Sequence, residues 1–259
     1  MCTTNNLTLG CFLLTLAMFM VVMEASPSKK IDESTDEFAP VIIENARFVG
    51  YNNLSHLDSN LYEDVIRVSF ESNNLTHTPI RFLGDLHNLI ELTLKNNIIE
   101  NFDIKSLDHY FATKLQKLTV RNQNIGPLLN NSFIRMRNLT YLALICTFPS
   151  RIEKSTFNGL TKLDELDLSG NNITVIDKEL LQPLKKLRIL ILNNNNFKKF
   201  SIIPVLNNLE TIYLENNPIE RAASINRTAL RLKAPKLRHI KFCTQVSISC
   251  QNFENICVS

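Results

Sequence analysis

One eleven-residue pattern recurs along most of this 259-residue chain and constrains its fold more than any other feature. Leu89–Ile99 and Leu163–Ile173 both have apolar residues at places 1, 4, 6 and 11 and asparagine at place 9. Copies begin at Val65, Leu89, Leu115, Leu139, Leu163, Leu187, Leu209 and Leu237, with successive spacings of 24, 26, 24, 24, 24, 22 and 28 residues. A period of this length predicts a solenoid, whose turns are stable only when stacked on their neighbours.

Each copy combines a predicted strand with a variable return segment. The alternation around places 4 and 6 indicates a short strand, so the strands of successive turns are expected to form one parallel sheet. The asparagine side chains at place 9 are expected to form hydrogen bonds with the backbone of adjacent turns. These residues are Asn73, Asn97, Asn171, Asn195 and Asn217. We call this expected row of hydrogen bonds the asparagine ladder. Gln123, Thr147 and Gln245 replace asparagine in three other repeats, so the ladder is expected to be weaker there.

The pattern resembles the leucine-rich repeat over about residues 43–242. This resemblance implies an α/β solenoid, a horseshoe with its parallel sheet on the concave face and a mostly irregular or 3-10 convex side. The period near 24 and a Phe-x-x-Leu lead-in, as at Phe157 and Leu160, resemble extracellular repeats of the Toll-like ectodomain kind. With sparse cysteines, the chain is similar to the short secreted leucine-rich immune proteins of insects, which are implicated in pathogen recognition. The missing amino-terminal cysteine cluster distinguishes it from small leucine-rich proteoglycans.

The chain is expected to divide into four parts. An apolar run from Cys11 to Met23 followed by Ala25 predicts a signal peptide over residues 1–25, because thirteen residues are too few to span a bilayer as a helix. Residues 26–40 are polar and expected to be disordered. The solenoid is expected over 41–242, beginning with a capping strand at Val41–Phe48, and 243–259 form a cysteine-bearing cap or tail.

Six acceptor sequences for N-glycosylation favour a secretory route when they are combined with the signal peptide. They predict glycans on Asn53, Asn74, Asn130, Asn138, Asn172 and Asn226. An asparagine-rich chain also generates some such sequences by chance. The prediction is therefore a secreted, extracellular glycoprotein in which some of these sites are occupied.

Four cysteines remain after the predicted signal peptide. Cys243, Cys250 and Cys257 are the disulfide candidates of the tail, and Cys146 lies four strands before Cys243. That separation is about 19 Å, beyond the roughly 7 Å that a disulfide allows between Cα atoms, so this pair is excluded. Cys146 is expected to be a buried free thiol, with a disulfide to a partner protein through Cys146 or Cys257 as the alternative.

Side chains at places 3, 5 and 7 are expected to point out of the concave sheet. The first three strands of the repeats have mostly charged residues at these places, whereas the middle and rear have apolar and aromatic ones. The candidate ligand-binding residues are therefore Tyr141, Ile145, Glu165, Asp167, Ile189, Ile191 and Tyr213. Scattered surface hydrophobes are the alternative interpretation. Near the end, a basic run including Lys236 and Arg238 indicates either contact with an anionic glycan or microbial surface or a solvated face.

Nothing in the sequence predicts catalysis, a metal or a cofactor. The five histidines are scattered, and no phosphate-binding loop or nucleophile elbow is present. A net charge of +3, or +4 without the signal peptide, is too mild to indicate nucleic-acid binding, and no membrane insertion is expected. We therefore expect a non-catalytic binding protein, in innate immunity or, alternatively, in adhesion, matrix or developmental signalling, or as a secreted inhibitor of an enzyme or growth factor.

Overall fold

A computed structural model describes residues 45–49, 65–73, 75, 77–107, 109–200, 204–219, 230 and 232–241. For residues 45–49 the description covers the backbone only. The predicted signal peptide, the polar segment after it and the cysteine-bearing tail lie outside these ranges, as do the acceptors Asn53, Asn74 and Asn226 and the cysteines Cys243, Cys250 and Cys257.

Nine strands form one parallel sheet in which every strand pairs with its neighbours in the chain. They are β1 (Asn45–Val49), β2 (Arg67–Glu71), β3 (Glu91–Lys95), β4 (Lys117–Arg121), β5 (Tyr141–Ile145), β6 (Glu165–Asp167), β7 (Ile189–Ile191), β8 (Thr211–Tyr213) and β9 (His239–Lys241). The register places equivalent residues side by side, for example Tyr141 opposite Glu165. β1 overlaps the predicted capping strand Val41–Phe48 at Asn45–Phe48 and pairs with β2.

Alternating burial explains why these segments form strands. The residues at places 4 and 6 point into the core and, from Val68 to Leu214, none is more than 2% exposed. The residues between them lie on the opposite side of the sheet, which we call the concave face. Because each inward leucine stacks on those of the adjacent turns, burial of apolar area stabilises the turns only as a stack.

The return segments on the convex side are short and varied, as predicted. The helices whose full bounds lie in the described residues are two brief α-helices, α1 (Ile80–Asp85) and α2 (Lys178–Leu181), and two 3-10 helices at Ile104–Leu107 and Tyr110–Thr113. The rings of Phe133 and Phe157, from successive turns, pack against each other here in a tilted arrangement with their centroids 5.7 Å apart. Such short elements have little intrinsic stability, so packing onto the core holds them in place.

The asparagine ladder at place 9 joins successive turns. Asn195 Nδ2 donates to the carbonyl of Leu168 in the preceding turn at 2.9 Å, while its Oδ1 accepts from the backbone N–H of Asn171 at 3.0 Å. Gln123 also joins two turns, but its amide nitrogen bonds a different place. Its Nε2 donates to the Ile99 carbonyl at 2.8 Å and its Oε1 accepts from the Ile99 N–H at 3.1 Å, so it donates to the carbonyl at place 11 of the preceding turn, where Asn195 donates to that at place 6. A weaker ladder at Gln123 stays a prediction.

Place 8 has a conformational requirement that the sequence analysis missed. Its residues have positive φ in seven consecutive repeats, namely Ser72, Asn96, Asn122, Cys146, Gly170, Asn194 and Asn216. Glycine and asparagine adopt this left-handed conformation more readily than other residues. The asparagines also bond one another across turns, as Asn122 Nδ2 does to Asn96 Oδ1 at 2.8 Å. The frequency of asparagine at place 8 was the signal for this second ladder.

Candidate functional site

The front of the concave face, formed by β2, β3 and β4, carries charges that pair with one another. Glu91 Oε2 lies 3.3 Å from Arg67 Nε on one side and 3.9 Å from Lys117 Nζ on the other. Lys95 lies 4.0 Å from Glu71. Exposed ion pairs of this kind add little stability. They do mean that the charged side chains of this part of the face already have partners within the protein.

The rear of the concave face, formed by β5 to β8, has a different character. Its twelve outward places hold Tyr141, Ala143, Ile145, Glu165, Asp167, Ser169, Ile189, Ile191, Asn193, Thr211, Tyr213 and Glu215. None of them is lysine or arginine, three are acidic, and five are large aliphatic or aromatic side chains. Those five side chains are half-buried. The register brings the predicted site residues together, with Glu165 opposite Ile189 and Asp167 opposite Ile191.

Burial and neighbouring acids perturb the titration of this region. The pKa of Tyr141 is raised to about 12, first by burial and then by the negative charges of Asp167, Glu165 and Glu91. Burial also raises the pKa of Glu165, and the charges of Asp167 and Asp164 add to the effect while Arg188 opposes it. These shifts have one physical cause, a local excess of negative charge held partly away from water.

Asp167 is less accessible than its outward place suggested. It is only 9% exposed, and its Oδ1 accepts the backbone N–H of Ser169 at 2.8 Å and the Ser169 hydroxyl at 2.5 Å. Burial raises its pKa, while the hydrogen bonds from Ser169 and the charge of Arg121 oppose the shift. The neighbouring Ala143 is fully buried. Asp167 therefore contributes charge to the face but little contact area.

Two cations at the borders of the rear face were not among the predicted site residues. Arg121, at place 7 of β4, is close enough to Asp167 to lower its pKa across β5. Lys241 of β9 lies over the Tyr213 ring with its Nζ 4.8 Å from the centroid, within the range of a cation–π interaction. Cross-strand register was the signal for both, because each belongs to a strand that borders the rear face.

Cys146 is not the free thiol that the sequence analysis expected. It is 1% exposed and disulfide-bonded. The other cysteines lie outside the described ranges, and a disulfide to a partner protein stays a prediction.

The three predicted glycosylation sites that the structure describes differ in accessibility. Asn130 and Asn172 are exposed. Asn138 is half-buried, and its Nδ2, the atom that would carry the glycan, donates to the Thr113 carbonyl at 2.7 Å. Its Oδ1 accepts from Lys162 Nζ, also at 2.7 Å. None of the three lies at an outward place of β2 to β9, so glycans there would leave the concave face open.

Within the described ranges, no three His, Cys, Asp or Glu side chains are placed to hold a metal ion. A search of the same residues for a helix long and apolar enough to cross a bilayer also found none.

Comparison with known proteins supports the repeat assignment. A family model described as leucine rich repeat matches residues 137–197. Volume-regulated anion channel subunit LRRC8A of Homo sapiens is 34% identical over 59% of this chain and 19% of its own length. Osteomodulin of Bos taurus is 30% identical over 74% and 44%, and Toll-like receptor 8 of Homo sapiens is 30% identical over 61% and 16%.

A solved structure has the same architecture. Internalin C2 of Listeria monocytogenes superimposes with a TM-score of 0.56, at 21% identity, over 78% of this chain and 81% of that one. The chain is therefore a leucine-rich-repeat solenoid. It spans less than half the length of each of the three relatives named above, and those relatives differ in role.

Proposed function

We propose that this protein is a secreted, non-catalytic binding protein that recognises an extracellular protein or microbial ligand with the rear of its concave face, in innate immunity. The similarity to Toll-like receptor 8 and the resemblance of the repeats to insect immune proteins support this role. The acceptor sites Asn130 and Asn172, which are exposed and lie away from the face, support a secreted glycoprotein.

The main support for the proposal is the difference in side chains between the two halves of the concave face. In the front half, the charges on the face pair with each other. In the rear half, five large apolar or aromatic side chains remain half-exposed beside acids. Burial of one such side chain contributes roughly 1.5–3 kcal/mol to association, and exposed apolar clusters with polar borders mark interaction sites.

Affinity capture from extracellular fluid tests this proposal. The mature protein is compared with a rear-face variant carrying Ile189→Glu, Ile191→Glu and Tyr213→Glu. The matched control carries three glutamates on the front of the same face, at Ser69, Thr93 and Thr119. Buried charge in an apolar contact is strongly unfavourable, so we expect the rear-face variant to lose its captured ligand and the control to retain it.

Both variants are first checked for unchanged secondary structure by circular dichroism. Equal capture by the rear-face variant and the unmodified protein would remove the rear face as the binding site. Loss in the control alone would transfer the site to β2–β4.

An extracellular adhesion, matrix or developmental-signalling role is the second candidate, and the similarity to osteomodulin favours it. A secreted inhibitor that occupies an enzyme or growth factor would use the same face. Strong transcription on infection together with binding to microbes would favour immunity. Tissue-patterned expression together with a cell-surface or matrix ligand would favour adhesion, and loss of a target's activity on binding would favour inhibition.

A further inference from the structure

A second surface lies along the edge of the sheet at which the strands begin. We define the basic edge as the two residues before the first leucine and the one after it, in the six repeats that start at Leu115, Leu139, Leu163, Leu187, Leu209 and Leu237. Backbone hydrogen bonds align these turns, since the N–H of Arg188 donates to Asp164 and that of Glu210 to Arg188, both at 2.8 Å. Residues far apart in the chain therefore form one row.

This row concentrates positive charge. Of its eighteen residues, eight are basic, namely Lys114, Arg137, Lys162, Lys185, Lys186, Arg188, Lys236 and Arg238. Asp164 and Glu210 are its two acids, so the row has a net charge of +6, twice the +3 of the whole chain. Seven of the eight cations are exposed, and Lys114 is half-buried.

Most of this charge is not neutralised within the protein. Arg188 forms a two-point ion pair with Asp164 at 2.6 and 3.1 Å and lies 4.0 Å from Glu210. In the part of the chain that the structure describes, the other seven cations form no ion pair with a carboxylate. Lys162 and Lys236 instead donate to neutral side chains, Asn138 at 2.7 Å and Asn208 at 3.0 Å.

These neutral contacts fix positions without removing charge. Lys114 Nζ donates to the His87 carbonyl at 2.6 Å, and Asn208 Nδ2 donates to the Lys185 carbonyl at 2.9 Å. Together with the bonds of Lys162 and Lys236, they form a third ladder that joins neighbouring turns along this edge. The side chains of Lys114, Lys162 and Lys236 are thus held against neighbouring turns, as that of Arg188 is by its ion pair.

The shape of the row selects the kind of ligand. Six parallel strands at the usual spacing of about 4.8 Å give a row about 24 Å long. The row is narrow, and its eight uncharged residues include no large apolar side chain that would enter a bilayer. We propose that the basic edge binds a linear sulfated polysaccharide, whose regularly spaced anions would lie along the row. This site borders the rear concave face but consists of other residues, and it does not rest on the function proposed for that face.

Heparin immobilised for surface plasmon resonance is the probe. The edge variant carries Lys162→Gln, Lys185→Gln and Lys186→Gln in the full mature chain. The control carries Lys178→Gln, Lys198→Gln and Lys199→Gln, three exposed lysines of the return segments, of which Lys178 is the first residue of α2. Both variants lose the same net charge, so only the position of the lost charges differs. Thermal melts check that both variants are folded.

We expect the unmodified protein to bind heparin with an affinity that falls as salt is added. Local charge at a binding row changes association by about tenfold or more, so the edge variant should bind about tenfold more weakly, while the control stays within about twofold. Equal losses in the two variants, or no binding by the unmodified protein, would overturn the proposal. So would binding to phosphatidylserine vesicles that is lost in the edge variant while heparin binding persists.

Discussion

Gly159 marks a point at which two turns of the solenoid touch through their backbones. Its φ is +92°, and a Cβ at this position would lie 2.9 Å from the carbonyl oxygen of Ile134 in the preceding turn. Glycine avoids both the steric conflict and the cost of a left-handed backbone. The two turns can approach this closely because Gly159 has no side chain.

We therefore expect Gly159→Ala to lower the free energy of unfolding by about 1–3 kcal/mol, as is typical of strained backbone positions. Gly126→Ala is the control, because its Cβ would meet the Phe102 carbonyl at an ordinary 3.6 Å. A gain of up to about 1 kcal/mol is possible at such unstrained sites. Urea denaturation measures both variants, and similar stabilities would contradict the close approach at Gly159.

Asp167 makes stability depend on pH in a defined direction. Burial raises its pKa above the ordinary 3.8, so the folded protein binds this proton more tightly than the unfolded chain does. The associated stability is present below the unfolded pKa and is lost as pH rises through the folded pKa. Asp167→Asn removes the buried charge and keeps Oδ1 as an acceptor for the Ser169 N–H.

Asp167→Asn should therefore unfold at a higher urea concentration than the unmodified protein at pH 7. The difference should shrink as pH is lowered through the folded pKa of Asp167. A variant that is less stable at pH 7 would show that the Ser169 bonds to the charged carboxylate outweigh its burial.

Asn138 is the least favourable of the described glycosylation sites. Its side-chain amide bonds both Thr113 and Lys162, whereas Asn130 and Asn172 are exposed. Glycopeptide mass spectrometry of protein secreted from eukaryotic cells should show glycans on Asn130 and Asn172 and an unmodified Asn138. A glycan on Asn138 would disrupt the third ladder and would also contradict the basic edge, within which Asn138 lies.

At the scale of elements, the parallel sheet and the asparagine ladder act together. The sheet bonds the turns along their strands, and place 9 bonds them where the strands end. Asn195 makes five hydrogen bonds. Three join it to the preceding turn, at the Leu168 carbonyl and the N–H groups of Asn171 and Ile173, and two go to carbonyls of its own turn. Because these groups are buried or part-buried, losing their partners is costly.

Asn195→Ala should destabilise the protein by about 3 kcal/mol, since several buried backbone groups lose their partners at once. Asn196→Ala changes the next side chain, which is exposed, and should cost less than about 0.5 kcal/mol. The urea midpoints of the two variants provide the comparison. Equal midpoints would mean that water replaces the ladder at this turn.

At the scale of the whole molecule, charged and apolar residues lie on different sides of the described surface. The rear of the concave face is apolar and acidic, the front of that face pairs its own charges, and the edge at which the strands begin is basic. A solenoid permits this separation because each place of the repeat traces its own line along the stack.

The two proposed sites should consequently be distinguishable by substitution. The edge variant should still capture the concave-face ligand. The rear-face variant adds three negative charges beside the basic edge, so it should lose some heparin binding but less than the edge variant does. Measuring both activities on both variants tests this. Complete loss of both activities in either variant would indicate one shared site, or a ligand that requires both surfaces.

The sequence alone determined the solenoid, the inward leucines, the strands and the outward places of the concave face. These features could be predicted because they follow from local alternation and from a period that repeats along the chain. Tyr141, Ile189 and Tyr213 were assigned to one surface on this basis, and the sheet register brings them to that surface.

Only the tertiary structure decided how much of each outward side chain meets water and what surrounds it. Asp167 was counted as a contact residue but is buried, and Cys146 was expected to be free but is disulfide-bonded. The basic edge likewise joins Lys114 to Lys236, whose separation in the chain hides their common row. Asp167 bonds Ser169 of its own turn, but the turns packed on either side of a side chain set its exposure, and these neighbours are not visible in the local pattern.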